Sequence, residues 1–114
     1  MSEHIDYIEL EVPDHAAARA FYAAAFGWEF NDYGPDYSGV RAADGGGEVG
    51  GLSTSGAPPR VLALFRSSDL DASLAAVRGA GGTIAREPFE YPGGRRFHFS
   101  DPGGNELGVY QPAE

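Results

Sequence analysis

The sequence runs one programme twice. An alternating segment over residues 5–12 sets Ile8, Leu10 and Val12 on one face and Tyr7, Glu9 and Glu11 on the other, the pattern of a half-buried strand. Asp14 then offers a helix N-cap, AAARAFYAAAF has high helix propensity, and Gly27 is a stop, so a helix is expected over residues 15–26. Three more strand-like stretches, 28–33, 37–43 and 48–55, are separated by Gly-Pro-Asp and Asp-Gly-Gly-Gly turns. After SGAPP the order returns. RVLALFR at 60–66 reads as a strand, Asp69 caps LDASLAAVRGA, Gly81-Gly82 ends that helix, and strands are expected near 83–87, 95–100 and 106–111. A shift of 55 carries Asp14 onto Asp69 and Phe26-Gly27 onto Gly81-Gly82. A shift of 57 carries Asp44 onto Asp101, Gly46-Gly47 onto Gly103-Gly104 and Gly51 onto Gly108, so the halves differ by a two-residue turn insertion.

The fold class implied is α+β: two βαβββ modules forming curved mixed sheets around a cavity. At 114 residues a single domain is expected, with halves at about 1–55 and 60–114 and a linker at 56–59. Each helix covers one face of its sheet, so the other face must be buried or must wall a pocket, where a small-molecule ligand is expected. Composition narrows the partners. Seventeen acidic against eight basic residues give a net charge of −9, which repels phosphate backbones, so no nucleic acid is expected. The absence of cysteine excludes disulfides, zinc–thiolate sites and thiol nucleophiles. The start, MSEHIDYIELEV, has neither the basic region nor the apolar run of a leader, so the expectation is a cytoplasmic protein without membrane contact.

The stretches PDHAAARAFYAAAFGWEF and SDPGGNELGVYQ, set in two βαβββ halves, resemble the vicinal-oxygen-chelate superfamily of glyoxalases, bleomycin-resistance proteins and extradiol dioxygenases. The resemblance covers nearly the whole chain and implies a domain that commonly pairs as a homodimer. It also implies a divalent metal held by His and Glu or Gln side chains from both halves, leaving coordination sites open to substrate oxygens. The positions that correspond here are Tyr7, Gly51, Leu62 and Gly108. Two glycines and a leucine offer no side-chain donor, and a neutral tyrosine is a poor ligand for such metals. No cofactor is therefore expected, with a relocated divalent-metal site as the alternative.

Strand parity gathers a polar inner set of Tyr7, Glu9, Glu106 and Tyr110, in which Glu9 or Glu106 is a candidate general base and the set as a whole a candidate ligand site. Gly51 and Gly108 have two readings, room for a larger ligand or tight curvature of the sheet. His98, between Phe97 and Phe99, is a pocket base or ligand contact, or is satisfied by its strand neighbours; His4 and His15 read as surface. Arg95-Arg96 beside Gly93-Gly94 is an anion-contacting flap or a solvated turn. Two functions follow: a metal-free protein that sequesters a cationic or aromatic small molecule, as bleomycin-resistance proteins do, or a glyoxalase-like lyase, isomerase or dioxygenase using a carboxylate base or relocated ligands.

Overall fold

The computed structural model describes residues 3–113; residues 1, 2 and 114, the outer ends of the two sequence halves, lie outside that range. The elements follow in the order β1 (His4–Glu11), α1 (His15–Phe26), β2 (Phe30–Asp32), β3 (Tyr37–Arg41), β4 (Glu48–Ser53), β5 (Arg60–Arg66), α2 (Leu70–Gly79), β6 (Thr83–Tyr91), β7 (Gly94–Ser100) and β8 (Glu106–Pro112). This is βαβββ twice, an α+β chain. It divides into two compact units, Tyr7–Leu62 and residues 3–6 with 63–113.

In the first unit the strand order is β2-β3-β4-β1, with β1 parallel to β4 and the other pairs antiparallel. Helix α1 is closed at both ends by the residues that signal it. Asp14 accepts a hydrogen bond from the Ala17 amide at 3.0 Å, and Gly27 takes the left-handed conformation at φ 71° that spares a side chain its clash. Strand β2 is shorter than the sequence suggests because Trp28 stacks on Tyr22 of α1, with centroids 4.5 Å apart, and so follows the helix rather than the sheet. His15 is not a surface residue. Its Nε2 lies 2.8 Å from the hydroxyl of fully buried Ser38, which ties the start of α1 to β3. A polar residue at the first turn of a helix reads as solvated from sequence, yet here it satisfies a buried hydroxyl.

The second unit has the order β5-β8-β7-β6, with β5 parallel to β8. Its core is Leu70, Phe97, Phe99 and Val109, with Phe65, Leu74, Val77, Ile84 and Leu107 packed around them, so α2 is seated on the sheet through its apolar stripe. By contrast α1, rich in alanine, buries no residue fully. β6 continues to Tyr91, past the end expected at 87, because register irregularities between Arg86 and Phe89 accommodate Pro88 without a ladder hydrogen bond. DPGGN is a structural turn. Asp101 accepts from the Asn105 amide at 2.9 Å and from its side-chain nitrogen at 3.0 Å, bonds that hold its carboxyl below the usual range.

Where β1 meets β4, Gly50 pairs with Ile8 and a Cβ on Gly50 would overlap the Ile8 carbonyl oxygen. A Cβ on Gly51 would instead meet side-chain atoms, the hydroxyl ends of Tyr37 and Tyr7, which can give way where a backbone oxygen cannot. Gly50→Ala is therefore expected to lower stability in urea unfolding by about 3 kcal/mol, the upper range for overpacking, and Gly51→Ala by clearly less. Equal losses would contradict the assignment of backbone crowding to Gly50.

Candidate functional site

In the first unit the face away from α1 is built on bare backbone. Gly39 and Gly51 are direct partners across β3 and β4, and Glu9 is the partner of Gly51 on β1. With no side chains rising from the glycines, their neighbours fold down over them. The Tyr37 hydroxyl occupies the place of a Gly51 Cβ, and the Glu48 carboxylate that of a Gly39 Cβ. The hydroxyls of Tyr7 and Tyr37 are 2.9 Å apart, and Tyr37 donates to Glu9 Oε2 at 2.9 Å. Glu9 is only 8% exposed. Beside this chain, Glu48 accepts from Asn31 at 2.9 Å and from the Tyr33 hydroxyl. Glu11, also buried, accepts from the Ser55 amide at 2.7 Å and its hydroxyl at 2.9 Å, a structural use of a carboxylate. In this structure the space of the missing Gly51 side chain is taken by the Tyr37 hydroxyl.

The second unit places its sequence-predicted residues on the sheet face away from α2. The pairs His98–Gly108 and Leu64–Gly108 form one row, and the space of a Gly108 Cβ is taken by the Leu64 side chain and the edge of His98. Gly108 is thus a close-packing glycine. His98 is 3% exposed on a strand with neighbours on both sides, and its Nδ1 lies 3.3 Å from Glu106 Oε2. Tyr110 donates to Asp6. Arg95 and Arg96, as successive strand residues, separate to opposite faces. Arg95 reaches Asp71 of α2 at 3.4 Å, whereas the Arg96 guanidinium lies 5.2 Å from the Tyr91 ring centroid on the other side. Leu62 is buried at the end of the first unit.

A cleft of about 670 Å³ opens on the helix side of the first unit, lined by Ile8, Leu10, Phe26, Trp28, Val40 and Val49, with the Glu29–Arg41 ion pair, at 3.1 Å, also in its wall. Of the predicted site residues only Gly51 reaches it. Its apolar lining is open to solvent, with Phe26, Val49 and Ile8 exposed by 65%, 51% and 47%.

The sequence profile of the Glyoxalase/Bleomycin resistance protein/Dioxygenase superfamily matches residues 4–109. The chain belongs to this superfamily. A Mycobacterium tuberculosis protein named as a glyoxylase, CFP32, is 26% identical over 93% of this chain and 44% of its own. The anthracycline biosynthesis protein DauV of Streptomyces sp. strain C5 is 30% identical over 96% of this chain and 42% of its own. The crystal structure of the Mn(II)-bound glyoxalase from Novosphingobium aromaticivorans superposes with a TM-score of 0.70 at 27% identity, over 96% of this chain and 40% of that one. This chain therefore spans less than half the length of these relatives.

The superfamily's metal chemistry needs three or four converging donors. Among the described residues, no group of three or more His, Asp or Glu side chains is placed to hold a metal ion. At the positions corresponding to the usual ligands, the Gly51 and Gly108 sites are sterically closed by Tyr37 and Leu64, and Leu62 has no donor. Tyr7 is no substitute. Its hydroxyl is engaged with that of Tyr37 at 2.9 Å, and burial, reinforced by the charges of Glu48 and Glu9, raises its phenol well above the ordinary value of 10.0. The residues present do not fit the usual metal site. No helix among the described residues is long and apolar enough to cross a membrane.

Burial also raises Tyr37, helped by the Glu9 charge, and pushes Tyr110 up to about 12, helped by its bond to Asp6. A phenol whose folded pKa is raised stabilises the fold fully below its unfolded value near 10 and loses that contribution as pH climbs past it. Stability is thus expected to be flat in these groups up to about pH 9 and to fall above pH 10. Phenolate absorbance at 295 nm should report Tyr7 and Tyr37 titrating only as the fold opens. Their ionisation in the intact fold near pH 10 would refute the buried network.

Proposed function

We propose that this domain binds a small cationic or aromatic molecule on the phenol–carboxylate face of its first unit, without side-chain metal ligation. The observation that carries the reading is the filled glycine position: where a superfamily metalloenzyme has a ligating side chain, Gly51 has the Tyr37 hydroxyl laid across it. Tyr7, Glu9 and Tyr37 supply what a cation or a ring needs, namely aromatic faces, hydroxyls and a negative charge, within a chain of net charge −9 that draws cations toward it. The name of the Streptomyces relative supports an aromatic ligand, anthracyclines being flat aromatic compounds. His98, Glu106 and Tyr110 are proposed as ligand contacts of the second unit in their own right.

A second reading is favoured by the Tyr37–Glu9 hydrogen bond. It sets a carboxylate base beside a phenol that can return the proton, the minimum for an isomerase or lyase acting next to a carbonyl. In that reading Glu9, or Glu106 beside His98, is the base, and Glu9→Gln or Glu106→Gln abolishes turnover.

The proposed partner of the open helix-side cleft is a second copy of the chain. Support comes from the exposed Ile8, Phe26 and Val49 and from relatives that carry more than twice this length. Light scattering should then give about double the 12.0 kDa chain mass, and Val49→Glu should return it to the monomer value.

Mn(II) titrated into the protein and followed by the paramagnetic resonance of the free ion is expected to reveal no stoichiometric site with sub-millimolar affinity. A thermal-shift panel of aromatic ammonium compounds is expected to include ligands that raise the melting temperature of the native protein but not of Tyr37→Phe or Glu9→Gln. A tight Mn(II) site, or turnover of a glyoxalase substrate that survives Glu9→Gln, would overturn the binding reading.

A further inference from the structure

The sheet face of the second unit that lies away from α2 has the opposite character to the face of the first unit away from α1. Two cross-strand rows define it. One runs Arg66, Tyr110, Arg96, Phe89 across β5, β8, β7 and β6; the next runs Leu64, Gly108, His98, Arg86. At about 4.8 Å per strand, the Arg66 and Arg96 backbones stand about 10 Å apart. Three of the eight arginines of the chain therefore share one sheet face. Of the carboxylates near it, Asp6 accepts from Tyr110 and Glu106 lies beside His98.

The arginines are held by rings. The Arg86 guanidinium carbon sits 3.6 Å from the Phe89 ring centroid, within stacking distance, and Arg96 lies 5.5 Å from the same ring and 5.2 Å from that of Tyr91. The His98 ring meets Phe89 edge-on at 5.8 Å. A guanidinium that rests its flat face on an aromatic ring keeps its in-plane N–H edges for other acceptors and loses less freedom when it binds them. Among the described residues no carboxylate pairs with Arg86. Its exposed head is thus oriented by a ring and not by an anion of the protein's own. Such a cluster stands out in a chain whose net charge of −9 would otherwise repel anions.

We propose that Arg86 and Arg96, set against Phe89, form a receptor for the oxyanion group of an organic ligand, a carboxylate or a phosphate monoester, received in a bidentate manner by Arg86. The proposal does not rest on the reading of the phenol–carboxylate face of the first unit.

Isothermal titration of the full chain with benzoate and with phenyl phosphate tests it, in buffer held at constant ionic strength with NaCl. Saturable binding of at least one probe is expected; the tighter of the two identifies carboxylates or phosphate monoesters as the ligand class. Arg86→Gln, at an exposed position, should weaken that binding about tenfold, as expected for loss of a charge-assisted bidentate pair. Phe89→Leu keeps both charges but removes the stacking surface, and should weaken it at least about threefold. Arg78→Gln alters net charge equally at a helix position paired with Glu87, and should stay within about twofold of the native protein. Absence of saturable binding of both probes, an equal loss in Arg78→Gln, or native affinity in Phe89→Leu would each overturn the proposal.

Discussion

The hydrogen bond from Tyr37 to Glu9 depends on a patch of sheet that carries no side chains. Gly39 and Gly51 face each other across β3 and β4, and Glu9 stands beside Gly51 on β1. Only over bare backbone can a tyrosine from β3 lie down far enough to reach a carboxylate two strands away, and only there can Glu48 fold in beside it. The phenols protect Glu9 from solvent while supplying the hydrogen bond that a buried carboxylate requires. The same arrangement closes the place where superfamily enzymes keep a metal ligand. One structural device therefore accounts for the buried carboxylate, the raised phenols and the misfit with a divalent ion.

Two copies of one topology have been finished differently. Helix α2 is pinned by Leu70, Leu74 and Val77 over a phenylalanine-rich sheet. Helix α1 is mostly alanine, and is anchored by its cap, by the His15–Ser38 bond and by Trp28 against Tyr22, which leaves an open apolar cleft at its C-terminal end. The faces away from the helices diverge as well, toward carboxylates and phenols in one unit and guanidinium groups stacked on rings in the other. Topology is shared because it is set by strand and helix periodicity, which both halves keep. Chemistry differs because side chains on the face away from a helix are free of the packing demands that fix the core.

The elements that sequence describes well here are those with local causes. Asp14, Gly27 and Asp69 act within a turn of their own positions, so α1 and α2 start where their caps are. Alternation in β1 separates Ile8 and Leu10 from Tyr7, Glu9 and Glu11, and the structure keeps that division. The extension of β6 through Pro88 depends on tolerance of an irregular register by β7, and so escapes a local rule. Sequence reasoning does not reach Tyr37 as the donor to Glu9, or Gly39, Asn31 and Glu48 around it, although a glycine facing a glycine is a usable signal once strand register is known. His15 escaped for a similar reason: its partners, Ser38 and Thr54, are 23 and 39 residues away.

Taken alone, the sequence determined the α+β class, the duplicated βαβββ order, the helix boundaries and the lack of donors at the usual metal positions. Each of these follows from residue type at a known position, through capping, periodicity or the absence of an ionisable group. Tertiary structure alone decided what fills the glycine positions, which carboxylates are buried, that His15 serves a buried hydroxyl, and that Arg95 and Arg96 part to opposite faces with Arg96 joining Arg86 at Phe89. These outcomes depend on cross-strand register, which brings together residues distant in the chain. Register is settled by cooperative packing of whole strands rather than by any short stretch of sequence.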